Sequence, residues 1–391
     1  MLDDIKILCW NVGRGEATIM CSQNVAHIID FGSTALPKHY IFAINTARKI
    51  IQQHNRVTAV ITHFHYDHYS LIPHVVESKT IDTVFVPGIP FPKPIAEMVC
   101  YLLAVQAILL HRRGQVILDD IAKRTRKVYF AYRGTTFKLT SNLHAHVLWP
   151  PPRLPPSIAK KVIRKLKPAY EKAKKLVEKA NIVEQVGSKA SELYERIKSI
   201  VERVSARNKQ IEAIEADSEF LSSLPTLAKI ETLREDLPKD AEEDTKESEL
   251  LAFIRDALND MSLVLKYYYR DKAFAVIPGD NSNSVLDYLS ILQRNEQKFQ
   301  RHVVFLRGSH HGTYFGKYLE ETKAAIAWLS WTSMLHEPPH LGYFHTADIV
   351  VIAEYVHELR LTIHSCSHCQ PYLYLIASRN PPRTFDIHVF T

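Results

Sequence analysis

The run His63-Phe64-His65-Tyr66-Asp67-His68 places three imidazoles and a carboxylate within six residues, directly after the apolar stretch Val57 to Ile61. That stretch reads as a short buried strand. His63 and His65 lie two apart, so both leave the strand end in the same direction and can share one ion. Asp67 and His68 follow in a turn and are placed to hold a second ion. Imidazole nitrogen with carboxylate oxygen suits zinc, manganese or iron better than magnesium or calcium. The competing reading is a histidine-rich surface turn that binds no metal.

The H-x-H-x-D-H pattern is the signature of the metallo-β-lactamase fold, and five further blocks resemble one branch of that superfamily. That branch contains the hydrolase domain of ComEC-type DNA-uptake proteins. Ile5 to Met20, with Asn11-Val12-Gly13-Arg14-Gly15-Glu16-Ala17, resembles its opening strand and turn. His27-Ile28-Ile29-Asp30-Phe31-Gly32 resembles its second strand and turn. Asn259 to Leu265, followed by Phe274 to Asp280, resembles the next pair of strands, and Phe305 to Thr313, containing His310-His311-Gly312, resembles the last block. The similarity covers about residues 4–150 and 258–378. Asn11, Arg14 and Glu16 stand where the branch usually has Asp, Gln and Asp, and Tyr69-Ser70-Leu71 replaces a glycine pair.

The resemblance implies an α/β protein, an αββα sandwich of two mixed sheets with helices outside. It also implies a dinuclear centre in which a metal-bound hydroxide attacks a phosphodiester. His63 and His65 would hold the first ion and Asp67 and His68 the second. Asp280, after the strand-like Ala273 to Ile277 and a Pro-Gly turn, would bridge both. One of His310 and His311 would complete the second ion's shell. Adjacent side chains off a strand diverge, so the other would orient substrate or protonate the leaving group. His310 is the preferred ligand and His311 the catalytic partner, alongside Asp67. His345 is a further catalytic candidate, set before a segment, Ile349 to Leu359, with helical spacing. Asp30 would support the metal loop by hydrogen bonding, and Gly32 and Gly312 would allow tight turns. Ser262 and Arg14 are placed to reach substrate.

The wider superfamily often has another histidine ligand, and no residue fills that role here. His144 and His146 lie in the right part of the chain but read as alternating strand positions. A loosely held first ion favours manganese over zinc. The expected cofactors are therefore two divalent ions, Zn²⁺ or Mn²⁺. His364-Ser365-Cys366-Ser367-His368-Cys369 contains a C-x-x-C but no second pair at finger spacing, and reads as a strand end with semi-buried cysteines.

The elements that must position these residues divide into a core, 1–150 and 251–391, and an insertion, 151–250. The insertion begins after Trp149 and a proline-rich exit. Residues 157–215 read as long helix, with Ile182, Val183, Val186, Leu193, Ile197, Ile200, Val201 and Val204 at three- and four-residue steps. A second helical stretch begins around Ser218 and includes Leu224 to Leu233, and an acidic stretch, Glu235 to Glu249, leads back to the core. The insertion starts basic, with Lys160, Lys161, Arg164, Lys165, Lys167, Lys172, Lys174 and Lys175. A hairpin or coiled coil with oppositely charged arms side by side is favoured over a basic helix tracking a phosphate backbone.

The hydrophobic content of 46% and charged content of 23% are those of a globular protein. The apolar runs are too short for a membrane span, and the start lacks the basic and apolar regions of a secretory leader. Five cysteines without framework spacing favour a reducing compartment, so a cytoplasmic location is expected. A net charge of +7 mildly favours acidic partners such as nucleic acid. There is no phosphate-binding G-x-x-x-x-G-K-[ST] loop and no G-x-S-x-G elbow. The expected function is thus a metal-dependent nuclease or phosphodiesterase acting on DNA or RNA. Free-standing relatives of the branch occur beside partner proteins in bacterial gene clusters, which extends the expectation to a defence effector. The insertion offers a surface for a protein partner or for oligomerisation. The alternatives are a small-molecule hydrolase of the same fold, acting on a cyclic nucleotide, phosphoester or lactone, and a partner-docking module with an inert core.

Overall fold

Short runs rich in Ile, Val and Phe form most of the strands, since β-branched and aromatic side chains pack well on a pleated surface. The computed structural model of the protein describes residues 4–77, 79–112, 118–206, 214–216, 241–294, 301–333, 335, 337–364, 372–377 and 384–390. The first strands are β1 (Ile5–Trp10), β2 (Ala17–Ser22), β3 (Val25–Phe31), β4 (Arg56–Val60), β5 (Ile81–Pro87) and β6 (Thr125–Ala131). Then come β7 (Thr136–Lys138), β8 (Leu143–Trp149), β9 (Ile214–Ala216), β10 (Val264–Tyr269) and β11 (Lys272–Ile277). The last are β12 (His302–Arg307), β13 (Lys323–Leu329), β14 (Ala347–Ile352), β15 (Glu358–His364), β16 (Tyr372–Ala377) and β17 (Thr384–Phe390).

They form two mixed sheets. The larger has the order β16-β17-β15-β1-β2-β3-β4-β5-β6-β9, and the smaller β14-β13-β12-β11-β10-β8-β7. In the larger sheet β1, β2 and β3 are antiparallel neighbours, whereas β3 to β6 run parallel. In the smaller, β11 to β14 run parallel. Alternation along the strands sorts the core into two layers. Ile5, Ile7 and Cys9 of β1 join Leu265 and Tyr267 of β10, Phe305 of β12 and Ile326 and Trp328 of β13 in one apolar cluster between the sheets. The alternate residues, such as Leu8, Trp10, Val276, Leu306 and Leu329, fall in a second cluster with helical side chains. The sheets therefore stack face to face with helices against their outer surfaces. Full burial of each such Leu, Ile or Phe contributes about 1.5–3 kcal/mol.

Among the longer helices are α1 (Ile41–Gln52), α2 (Lys93–Arg112), α3 (Pro156–Lys179), α4 (Val183–Ala206), α5 (Ala241–Leu258) and α6 (Asn283–Arg294). The insertion is built of α3, α4, the short β9 and α5. Its expected long helix over 157–215 is divided: α3 stops at Ala180, Asn181 adopts a left-handed φ of 54°, and α4 restarts at Val183. Residues 214–216 pair with β6 as an edge strand of the larger sheet. Both α3 and α4 pack on α2, and α5 packs on α3. Ile182, Val186, Leu193, Ile197 and Val201 are buried in the same cluster as the core helices, so this part of the insertion lies on the core. The expected helix over Leu224 to Leu233 and most of the acidic stretch lie outside the described residues, as do residues 365–371 with their C-x-x-C. The helix expected over Ile349 to Leu359 is replaced by β14, a turn and the start of β15. The run Ile349-Val350-Val351-Ile352 is β-branched throughout, and pairing with β13 overrides the helical spacing.

Helix α2 is long and apolar enough over Lys93–Leu110 to cross a membrane by length and composition, and 72% of that window is buried in this fold. Ile95, Val99, Leu102 and Leu103 are buried, and the helix packs on α3 and α4.

A polar tie crosses the core. His27 on β3 bonds Thr58 on β4 through Nδ1, at 2.8 Å, and Tyr267 on β10 through Nε2, at 2.9 Å. Burial, aided by the charge of Arg56, pushes the imidazole pKa down to about 3. The folded state thus holds His27 neutral, while the unfolded chain protonates it below about pH 6.5. Its stabilising contribution is complete above that pH and is lost as pH falls. Between pH 7 and 5 the expected loss from this residue is about 2 kcal/mol. Urea unfolding at both pH values should show the His27→Gln variant with less pH dependence by that amount; an identical pH dependence would contradict the account.

Candidate metal centre

The parallel strands deliver their loops to one edge of the stacked sheets. β4 ends in the 61–68 loop, β11 in Pro278-Gly279-Asp280, β12 in Gly308 to His311 and β13 in Ser330. His63, His65, Asp67, His68, Asp280 and His311 are all buried there. His63 Nε2 lies 3.4 Å from Asp280 Oδ2, and His68 Nε2 lies 3.5 Å from the same oxygen. His311 Nε2 lies 3.7 Å from Asp67 Oδ2. Ligands at about 2.0–2.1 Å from one tetrahedral ion stand roughly 3.3 Å apart, so these separations suit a shared cation.

Two groups meet that geometry. In His63, His68 and Asp280, and again in Asp67, His68 and His311, one ligand atom per residue lies within 4.8 Å of the others. His65 stands beside them, its ring centroid 4.1 Å from that of His63. Four inward atoms, His63 Nε2, His65 Nε2, His68 Nε2 and Asp67 Oδ1, are buried without a hydrogen-bond partner. A buried polar atom without a partner costs about 1–3 kcal/mol. Four of them converging on one space fit a site built for cations.

The supporting residues explain why the loop holds this shape. Asp30, at a left-handed φ of 56°, accepts hydrogen bonds from the Thr62 amide (2.7 Å) and hydroxyl (2.8 Å). The same carboxylate accepts from Arg307 of β12 at 2.6 Å and lies 3.1 Å from His68 Nδ1. Asp30 thereby fixes which nitrogen of His68 faces the site. Gly32 lets the metal loop lie directly on it: a Cβ there would sit 2.5 Å from the Asp67 carbonyl carbon and 2.6 Å from the amide nitrogens of His68 and Tyr69. The Leu263 amide bonds the Thr62 carbonyl at 2.7 Å and joins the loop to the smaller sheet.

Of the two adjacent histidines, His311 enters the metal group and His310 does not. Both take left-handed φ, 46° and 59°, which turns their side chains apart. His311 Nδ1 faces Ser330 Oγ at 3.1 Å and Glu16 Oε1 at 3.3 Å, leaving Nε2 towards Asp67. Glu16 also accepts a hydrogen bond from the Ser330 hydroxyl. His310 is partly buried, stacks on Tyr314 with centroids 4.5 Å apart, and meets Thr313 Oγ1 through Nδ1 at 2.9 Å. It lines the edge of the site.

His345 is not brought to the cluster. It lines a small depression with His302 and Lys323, at the starting ends of β12 and β13, opposite the ends that carry His311 and Ser330. His144 and His146 form a ring pair 5.1 Å apart with Tyr268 on β8 and β10, in neither metal group. The Ser262 hydroxyl is taken by the Asn259 carbonyl at 2.7 Å. Arg14 is exposed, and its carbonyl pairs with the Thr34 amide. Arg307, Glu16 and Ser330 are the contributors not singled out as site residues from sequence. An Arg directly before Gly308 at the end of an apolar run, and a glutamate closing the Gly13 to Gly15 turn, were the available signals.

Compared with models of known protein families, the chain matches none, and no curated protein matches it.

Charge decides what the site accepts. The Arg307 guanidinium and His68 hold the buried Asp30 carboxyl well below the usual carboxylate range against the opposing effect of desolvation. Asp67 and Asp280 are likewise held ionised, despite burial, by the imidazoles around them. Burial pushes His63 down to about 3 and His65 well down, so both offer a neutral nitrogen. Burial opposes charge on His311 too, yet hydrogen bonds to Asp67 and Glu16 push it up to about 10. Asp280 and Asp30 raise His68 in the same way. With no cation bound, protons on His68 and His311 would balance the carboxylates, and an incoming divalent ion must displace them. Metal affinity should therefore rise between pH 6 and 8, about tenfold per pH unit for each proton released. Calorimetry in buffers of different ionisation enthalpy should count one to two protons released per chain; none released would contradict this charge balance.

Proposed function

We propose that the protein is a metal-dependent phosphodiesterase, acting on DNA or RNA, with the metallo-β-lactamase architecture that its five sequence blocks resemble. The observation that carries this reading is the convergence of buried His63, His68, Asp280, Asp67 and His311 at ligand spacing, with His65 beside them and unpartnered nitrogens on His63, His65 and His68. Two sheets stacked with helices outside, and loops from the ends of parallel strands forming the site, accord with that architecture.

His63 and His65 with Asp280 would hold one ion, and Asp67, His68 and His311 the other, with the Asp280 carboxylate close to both. Bound divalent ions would supply an activated water at neutral pH and polarise a phosphoryl oxygen. The chain's own residues supply the rest. Asp30 and Arg307 fix the loop, Glu16 and Ser330 set the His311 tautomer, and His310 stands at the edge with Tyr314, where it can pass a proton to a leaving oxygen. A nucleic-acid substrate is supported by the net charge of +7 and by the basic residues of α3. The missing third imidazole for the first ion favours manganese.

The test is cleavage of labelled single- and double-stranded DNA and RNA with Mn²⁺, Zn²⁺ or Mg²⁺. Wild type should cleave at least one polymer only with metal. Asp280→Asn, close in size and without the charge, should lose at least about a hundredfold in rate, since placing the cations contributes several kcal/mol. Cleavage that survives chelation, or an Asp280→Asn variant as active as wild type, would overturn the assignment. Metal bound without cleavage of any polymer would shift the substrate to a small phosphoester.

A further inference from the structure

Two of the loops that carry candidate ligands meet in one short turn, Asn259 to Leu263, which follows helix α5. The Leu263 amide bonds the Thr62 carbonyl at 2.7 Å, at the start of the histidine loop. The Asp260 carboxylate accepts the Ser282 amide through Oδ1 at 3.1 Å, two residues past Asp280. The Ser262 carbonyl accepts the Asn281 side-chain amide at 2.8 Å. Trp149, at the end of β8, fixes the same turn by donating its indole N–H to the Asp260 carbonyl at 2.8 Å.

Asp260 is only 2% exposed. A carboxylate so placed needs positive charge close by, and that charge comes from outside the core. Lys165 Nζ of α3 lies 3.0 Å from Asp260 Oδ2 and is the carboxylate's one ion-pair partner among the described residues. Lys161, one turn earlier, donates to the Ser284 hydroxyl at 3.2 Å, at the start of α6 just past the Asp280 loop. Helix α3 thus reaches this region through two lysines. Lys172, further along the helix, lies instead over the Phe253 ring of α5, 3.4 Å from its centroid.

We propose that Asp260, charge-balanced by Lys165 of the insertion, is the positioning residue that holds the histidine loop and the Asp280 loop in register, so that the insertion sets how tightly the core site holds its ions. This rests on the metal-centre reading of the core. Without the Lys165 charge the buried carboxylate is unbalanced, and the turn can relieve it only by moving towards solvent, which draws Ser282 and Thr62 with it. Because coupling between two sites is reciprocal, ions held by the loops should in turn steady α3.

The test measures the Mn²⁺ affinity of the full-length protein by calorimetry for wild type, Lys165→Met, Lys165→Arg and Lys172→Met. Loss of a residue that orients metal ligands from behind costs about tenfold to a hundredfold in affinity, and about tenfold is expected for Lys165→Met. Lys165→Arg keeps the charge and should recover most of it. Lys172→Met removes a cation from the same helix without a described contact to either loop, and should bind as wild type does. Hydrogen exchange should show wild-type α3 amides slowed by Mn²⁺, and that slowing lost in Lys165→Met. Equal affinity in wild type and Lys165→Met, an equal loss in Lys172→Met, or wild-type α3 amides indifferent to bound Mn²⁺ would overturn the proposal. Wild type that binds no Mn²⁺ would remove the metal-centre reading and the proposal with it.

Discussion

The structure depends on burying carboxylates that stay ionised. Asp30, Asp67 and Asp280 are each almost fully removed from solvent at one edge of the stacked sheets. An isolated buried carboxylate is prohibitively costly, so every one must meet positive charge or hydrogen-bond donors. Asp30 and Glu16 meet Arg307, itself fully buried. Asp67 and Asp280 meet only imidazoles among the described buried side chains. That asymmetry divides the site into a self-compensated support and a candidate ligand layer whose charge a cation would complete.

The support spans both sheets. Arg307 leaves β12 of the smaller sheet and bonds the Ile29 carbonyl and Asp30 on β3 of the larger. His27 joins β3 and β4 of the larger sheet to β10 of the smaller. Such buried ties contribute modestly to net stability but penalise any shift between the sheets, because each would leave a donor or acceptor unpaired. The metal loop inherits that rigidity: Thr62 is held by Asp30 on one side and by Leu263 on the other.

Much of the ligand layer was legible because its spacing is local. Two histidines two apart after an apolar run, then an Asp-His turn, can be read without knowing the fold. Asp280 was legible from its place after a strand and a Pro-Gly turn. The choice between His310 and His311 was not, since it depends on two successive left-handed residues and on Glu16, almost three hundred residues away in sequence. Glu16 looked like a departure from a turn motif, whereas in the fold it is the acid that orients His311. His345 was misleading because sequence order carries no information on which end of a parallel strand a loop occupies. Residues 349–352 misled similarly: helical spacing there competed with a β-branched run, and the neighbouring strand decided. The insertion's apolar periodicity identified α4 but not its partner, the core helix α2.

The most direct test of the central claim is anomalous diffraction from crystals of the protein grown with Mn²⁺. The account predicts two peaks about 3.5–4 Å apart. Asp280 should lie between them, His63 and His65 on one side, and Asp67, His68 and His311 on the other. Absence of metal from this cluster at saturating Mn²⁺, or a metal bound only elsewhere on the chain, would contradict it.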